Sequence, residues 1–109
     1  AEAAEIAQQM LKDSLDALVQ LDTDKARNVC RRDEDVDRIC TEMFEHTKQR
    51  IRENPEDIDV LSHLLMLPRR IERIADHATN ISEDLVYMVE GEIVRHDAEM
   101  VTNSGVQAS

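Results

Sequence analysis

The sequence predicts an all-α protein, an up-down-up bundle of three long antiparallel helices. Two observations support this fold class. Among 109 residues there are only two glycines and two prolines, which leaves few places for turns and favours long helices over a sheet. In addition, apolar residues recur at helical spacing along most of the chain. A chain of this length is expected to form one domain.

The first helix is predicted from about Ala3 to Leu21, because its apolar residues fall on one stripe. That stripe comprises Ala4, Ala7, Leu11, Leu18 and Leu21, with Leu15 beside it. The second helix is predicted to begin just after Asp22 or Thr23, either of which can cap it, and to end near Arg52. Its stripe comprises Val29, Val36, Cys40, Met43 and Thr47.

The clearest helix boundary lies at Asn54 and Pro55. Asn54 is a favourable N-cap, and Pro55 suits the first position of a helix. The third helix is therefore predicted from Pro55 to about Val89, antiparallel to the second because the connection is so short. Its apolar residues form a heptad seam that predicts coiled-coil-like packing. The seam comprises Val60, Leu64, Leu67, Ile71, Ile74, Ala78, Ile81, Leu85 and Met88.

Two irregularities complete the prediction for the third helix. Pro68 interrupts its interior, where the missing N–H predicts a local kink. Residues 97–109 show no apolar period and are rich in small polar side chains, so they are predicted to be a disordered tail. The three-helix domain is accordingly predicted to span residues 1–96.

Composition excludes several classes of function. The formal net charge of −11 argues against nucleic acid, which requires a basic surface. Runs of 18 or more apolar residues are absent from the sequence, so no membrane insertion is expected. Cys30 and Cys40 lie on one predicted helix, about 15 Å apart along its axis, which excludes a disulfide between them. Unpaired cysteines favour a reducing compartment, and we expect a cytoplasmic protein.

Two pairs of acidic residues carry the strongest functional signal. Asp33 and Asp37 in helix two, and Glu72 and Asp76 in helix three, are spaced so that each pair shares one helix face. Each pair can direct several carboxylate oxygens at one region, and such ligands suit hard cations and iron. Asp33 also falls within the apolar stripe of its helix, where a cation would offset its lost hydration. These four residues are the predicted metal ligands.

Other interpretations of the same residues stay open. Glu72 and Asp76 lie near three arginines and fit an ordinary solvated face with weak ion pairs. Those arginines are Arg69, Arg70 and Arg73. Asp33 can instead lie at the edge of its stripe and point to solvent. The chain would then be a metal-free acidic helical adaptor that docks a basic partner protein. A di-iron enzyme is disfavoured because Glu42 and His46 are four residues apart, not three.

A resemblance to the PhoU family of phosphate-uptake regulators rests on the run IERIADHATNISEDLVYMVEGEIVRH, in which DHATNI and VEGEIVRH are the most specific words. It covers roughly Ala26 to His96. The resemblance implies the second of two three-helix repeats, with its partner repeat missing upstream. It also implies iron or zinc clusters, held by E(D)xxxD motifs that fall on Asp33 with Asp37 and on Glu72 with Asp76.

The resemblance further implies what the protein does. A PhoU-type regulator restrains a phosphate ABC transporter through its ATPase and reports phosphate sufficiency to a sensor histidine kinase, by protein contact and without catalysis. The chain is therefore expected to be a non-enzymatic regulator of phosphate uptake. The long apolar seam of helix three further predicts a homodimer.

Overall fold

The computed structural model describes the backbone of residues 2–108 and the side chains of residues 2–93 and 95. The described chain consists of three α-helices and one short 3₁₀ turn, each helix in contact with the other two. The helices are α1 (Glu2–Gln20), α2 (Thr23–Glu53) and α3 (Ile58–Ala108), with the 3₁₀ turn at Pro55–Asp57. The predicted all-α class and three-helix bundle are confirmed. Within residues 2–108, every helix is too short or too polar to cross a membrane.

The connection between α1 and α2 is a tight turn held by backbone and side-chain bonds. The N–H of Asp22 donates to the carbonyl of Ala17 over 2.9 Å and closes the end of α1. The carboxylate of Asp22 accepts a hydrogen bond from the N–H of Lys25 at 3.1 Å, so Asp22 is the N-cap of α2 as predicted. Leu21 between them has a φ of 54°, in the left-handed region that usually belongs to glycine.

The start of α3 differs from the prediction in one respect. Pro55 occupies the first turn as expected, but that turn is 3₁₀, and the α-helix begins only at Ile58. The side chain of Asn54 does not cap this turn. Instead its amide nitrogen donates backward to the carbonyl of Arg50 at 3.4 Å, alongside a backbone bond to the same oxygen at 2.9 Å. Asn54 therefore closes α2 and is not the N-cap of α3.

The other end of α3 extends further than predicted. The helix continues past Val89, and the backbone of residues 97–108 is helical where a disordered tail was predicted. Gly91 does not end it, since this glycine lies in the helix without a positive φ. Arg95 pairs with Glu92 one turn earlier and supports the extension. The proposed domain limit at residue 96 stays a prediction, because side chains beyond Arg95 lie outside the described residues.

The face that α1 buries is the small-residue face. Ala3, Ala7, Ser14 and Ala17 are buried together with Met10. Leu18 and Leu21 are exposed, so the predicted stripe of α1 is wrong at those two positions, and Leu15 beside the stripe is exposed as well. Small side chains let α1 lie close to α2 and α3, and this close packing outweighs the burial of the bulky leucines.

The predicted seam of α3 is confirmed only in part. Ile71, Ala78 and Leu85 are buried, whereas toward the hairpin turn the buried positions are Leu61 and Pro68. The seam positions found exposed are Val60, Leu64, Leu67 and Met88. Near the turn α3 packs against α2, and residues of α1 join the main core cluster only at the level of Ile71. A seam that serves two neighbouring helices therefore covers only part of α3.

Candidate metal centre

The antiparallel packing of α2 and α3 places the two predicted acidic pairs above the same part of the core. Val36 and Cys40 of α2 lie in one buried cluster with Ile71 and Ala75 of α3. Asp33 lies three residues before Val36 and Asp37 directly follows it, while Glu72 and Asp76 directly follow Ile71 and Ala75. The four acidic side chains therefore come from neighbouring turns of two adjacent helices.

Asp33 is the most constrained of the four. Its side chain is partly buried, and its Oδ1 atom is fully shielded from solvent. Among the residues that the structure describes, none donates a hydrogen bond to this oxygen. Burial raises the pKa of Asp33, and the negative charges of Asp37, Asp76, Glu72 and Glu83 raise it further, in that order. Burial and neighbouring negative charges both disfavour an ionised carboxylate, so binding a cation next to Asp33 would be favourable.

Glu72 shows the same electrostatic environment from the opposite helix. It is partly buried, and burial together with the charges of Asp37 and Asp76 raises its pKa, while Arg69 partly offsets the effect. Asp37 and Asp76 themselves are exposed. The structure thus brings the four predicted residues within electrostatic reach of one another. With Glu83 they form a surface that we call the acidic patch.

Glu83 is the member of the acidic patch that the sequence analysis missed. Its charge raises the pKa of Asp33 and also that of Cys30, in both cases behind the effect of burial. Glu83 lies seven residues after Asp76, a spacing that returns to the same helix face after two turns. Extending the acidic spacing of α3 by two turns would have identified it.

The ion-pair alternative is not observed. Among the described side chains, no salt bridge joins Glu72 or Asp76 to an arginine. Arg32, next to Asp33 in sequence, bonds across the bundle to Asp13 of α1. The charge of the acidic patch is therefore not cancelled by direct pairing within this part of the chain.

Carboxylate oxygens are suitable ligands for a cation, but the described acidic side chains do not converge on a common binding point. Among the described residues, no three His, Cys, Asp or Glu side chains lie close enough together to hold a metal ion. Closing the carboxylates on an ion requires side-chain rotation, which exposed groups such as Asp37 and Asp76 undergo in picoseconds to nanoseconds. Among the described carboxylate oxygens, the Oδ1 atom of Asp33 is the one that is buried without a hydrogen-bond partner.

The two cysteines lie close to the acidic patch but carry no charge at neutral pH. Burial raises the pKa of Cys40 to about 11, with Glu72 and Asp37 adding to the effect. Burial also raises the pKa of the Cys30 thiol. Since the thiolate is the reactive form, neither sulfur is prepared to act as a nucleophile.

Comparisons with known proteins agree with the fold and with the resemblance. The family model described as "PhoU domain" matches residues 1–85. The chain is 41% identical over 88 residues to the phosphate-specific transport system accessory protein PhoU homolog of Rhizobium meliloti, covering 81% of this chain and 37% of that protein. It is 38% identical to the protein of the same name from Clostridium acetobutylicum, covering 78% of this chain and 39% of the relative.

A solved structure shows the same arrangement of helices. The crystal structure of PhoU from Pseudomonas aeruginosa superposes with a TM-score of 0.79 at 32% identity, covering 83% of this chain and 43% of that one. The chain thus spans about two fifths of the length of the relatives that it matches. The family match, the identities and the common fold together show that this chain belongs to the PhoU family.

Proposed function

We propose that this chain is the metal-binding part of a regulator of phosphate uptake and phosphate signalling. The regulatory role follows from the family, whose members matched here are named accessory proteins of a phosphate-specific transport system. The metal role is supported by a single observation. The buried Oδ1 of Asp33 accepts no hydrogen bond from any described residue, and the negative charges of four other carboxylates add to burial in raising the pKa of Asp33.

The proposed ligands are Asp33, Asp37, Glu72 and Asp76. A bound cation supplies positive charge that offsets their mutual repulsion and the lost hydration of Asp33. Iron and zinc are the proposed ions, and an oxygen-rich site of this kind accepts more than one metal. The protein's own contribution is to hold two carboxylate pairs on adjacent antiparallel helices.

The regulator acts by contact and not by catalysis. Its proposed partners are the ATPase of a phosphate ABC transporter and a sensor histidine kinase, both reached from the cytoplasm. These partners are carried over from the family and not from a site in this chain, since the chain spans only 37% and 39% of two matched relatives.

Elemental analysis of protein purified without chelator tests the metal proposal. We expect more than one equivalent of transition metal in the chain as it stands, and its loss in the double variant Asp33→Ala, Asp76→Ala. The matched control is Glu34→Ala, Asp35→Ala, which removes the same charge from exposed positions on α2. Equal metal content in the two double variants would remove Asp33 and Asp76 from the site.

A metal-free acidic adaptor is the second candidate. The observation in its favour is that no three potential ligands are clustered among the described side chains. The two candidates differ in what controls thermal stability. A metal protein is stabilised by its ion through mass action, whereas an adaptor responds to salt, because screening weakens the repulsion between surface charges. A melting temperature that ignores zinc and iron but follows salt would favour the adaptor.

The predicted homodimer belongs to this proposal as well. Leu15 and Leu18 project from α1 into solvent, and contiguous apolar surface of this kind is commonly covered in assemblies. Sedimentation of the chain and of a Leu15→Lys, Leu18→Lys variant tests it. A dimer that becomes monomeric in the variant supports the prediction, and a monomer in both contradicts it.

A further inference from the structure

A groove of about 450 Å³ lies between α2 and α3 at the edge of the acidic patch. Its lining is mainly apolar and comes from both helices, and it includes two charged side chains. The apolar walls include Phe44, Leu65, Met66 and Pro68, and the charged residues are Arg69 and Glu72. Glu72 therefore belongs to both the groove and the acidic patch.

The apolar walls of this groove stand open. Phe44 is 39% exposed and Met66 is 49% exposed, although both are large apolar side chains. Covering such side chains removes apolar area from water, which favours formation of a complex. Phe and Met are also among the residues enriched in the buried centres of protein interfaces. The groove thus offers a partner an apolar anchor site.

The negative charge beside the groove favours partners that carry a positive charge. Glu72 and Cys40 both line the groove, and the negative charges of Glu72 and Asp37 contribute to raising the pKa of the Cys40 thiol. Arg69 offsets part of the charge of Glu72. The negative charges of Glu72 and Asp37 thus reach the groove lining, and the chain as a whole carries a formal net charge of −11. A partner that places a positive side chain next to its apolar anchor is therefore complementary to this surface.

We propose that the groove docks an amphipathic segment of a partner protein, with a large apolar side chain against Phe44 and Met66 and a neighbouring Lys or Arg beside Glu72. This inference rests on the proposed function, in which the chain regulates by protein contact, and it names the surface and the chemistry of that contact. A second copy of the chain is disfavoured as the occupant of this groove, because the proposed contact beside Glu72 needs a basic segment and the chain has a formal net charge of −11. The homodimer proposed above uses Leu15 and Leu18 of α1 instead.

A selection from a random peptide library displayed on phage, with the chain immobilised in the presence of chelator, tests this proposal. We expect the enriched peptides to combine a large apolar residue with an adjacent Lys or Arg. A synthetic peptide of that consensus should bind about tenfold more weakly to Met66→Ala, as is typical of a contact at the centre of an interface. Phe44→Ala should weaken binding in the same way.

The chain contains a matched control for the Met66 variant. Met88 lies in the same helix and is also 49% exposed, but it does not line the groove. Met88→Ala should leave peptide affinity unchanged, and circular dichroism of both variants reports whether they fold alike. Glu72→Gln should weaken the basic peptide and have no effect on the same peptide with its Lys or Arg replaced by Gln, as a double-mutant cycle measures.

Three outcomes would overturn the proposal. The first is a library without enrichment, or a consensus that lacks a basic residue. The second is equal affinity of the consensus peptide for Met66→Ala and Met88→Ala. The third is a dimer of the chain in sedimentation that Met66→Ala dissociates and Met88→Ala does not, which would assign the groove to a second copy.

The peptide measurements also separate this inference from the metal proposal. They are made with chelator present, so they do not depend on a bound ion. The metal assay instead uses Asp33→Ala, Asp76→Ala, which leaves Phe44 and Met66 in place. If peptide binding depends on the groove but the protein contains no metal, only the docking proposal is supported. If the protein contains metal but peptide binding does not depend on the groove, only the metal proposal is supported.

Discussion

Arg32 of α2 donates a hydrogen bond to Asp13 of α1, with Nη2 2.7 Å from Oδ2. The side chains are only 24% and 19% exposed, respectively. Burial by itself would raise the pKa of Asp13, but hydrogen bonds from Arg32 and Gln9 and the positive charges of Arg32 and Lys25 lower it overall. The ionised carboxylate of Asp13 thus stabilises the packing of α1 against α2 through its ion pair with Arg32.

We predict that Asp13→Asn lowers the free energy of unfolding by about 1 kcal/mol at neutral pH, the upper end for a pair near the surface. Because the folded-state pKa of Asp13 lies below the unfolded value near 3.8, its stabilisation is present above that value and is lost as the pH falls through the folded-state pKa. Urea denaturation at neutral and at strongly acid pH measures the difference, which should vanish in acid.

Asp16→Asn is the control for this pair. Asp16 lies on the same helix and forms no salt bridge among the described residues. Its substitution should change stability by less than about 0.5 kcal/mol, as surface changes away from specific interactions usually do. A deficit of Asp13→Asn that is equally large in acid would show that the charge of Asp13 is not its cause.

Leu21→Gly should stabilise the chain. Leu21 holds a φ of 54°, which costs a side-chain-bearing residue roughly 1–2 kcal/mol and glycine very little. Its side chain is exposed, so little burial is lost. We expect an increase of about 1 kcal/mol in the free energy of unfolding, measured by urea denaturation. Leu18→Gly, an exposed helical leucine in the preceding turn, should instead lower it by about 1 kcal/mol.

Asp33→Asn should have opposite effects without and with metal. In chelator, loss of the charge removes repulsion from Asp37 and the cost of burying an ionised carboxylate, so the unfolding free energy should rise by about 0.5 kcal/mol. Added zinc should stabilise the unmodified chain more than the variant, because binding to the folded state is linked to stability. The order of the two melting temperatures should therefore reverse when zinc is added.

Glu34→Gln, an exposed neighbour, serves as the control for Asp33 and should follow the unmodified chain in both conditions. Melting curves followed by circular dichroism give the comparison. If zinc stabilised Asp33→Asn as much as the unmodified chain, Asp33 would not be a ligand. If the variant were less stable in chelator, the orphaned oxygen of Asp33 would not be a source of instability.

The acidic residues could be predicted because their spacing depends only on local helix geometry. Residues four apart share a face whatever the helix packs against, so Asp33 with Asp37 and Glu72 with Asp76 could be paired from sequence. That the two pairs lie on adjacent antiparallel helices depends on the short connection between α2 and α3, which Asn54 and Pro55 also indicate in the sequence. The spacing of Glu83, two turns after Asp76, could also be recognised in the sequence, but only the three-dimensional arrangement shows that its charge reaches Asp33 on the opposite helix.

The buried face of α1 could not be predicted for a different physical reason. Apolar periodicity favours the helix face with the largest apolar side chains. The prediction therefore placed the buried face of α1 on the side of Leu15, Leu18 and Leu21. In the bundle the alanine face is buried, because the close approach of three helices favours small contacts. Which of two adjacent faces is covered is decided by neighbouring helices, and a single sequence does not specify their distance.

Two leucines of the predicted seam provide the sharpest test of how α3 packs. Leu85 is 1% exposed and lies in a buried cluster with Ala17 and Ala26, whereas Leu67, another position of the predicted seam, is 40% exposed. Leu85→Ala should lower the free energy of unfolding by about 2–5 kcal/mol through lost burial and the cavity that remains. Leu67→Ala should cost less than about 1 kcal/mol, since much of its surface already meets water. Urea denaturation of both variants measures the contrast. Equal losses would mean that the seam is packed along its whole length, as a second molecule covering Leu67 would require.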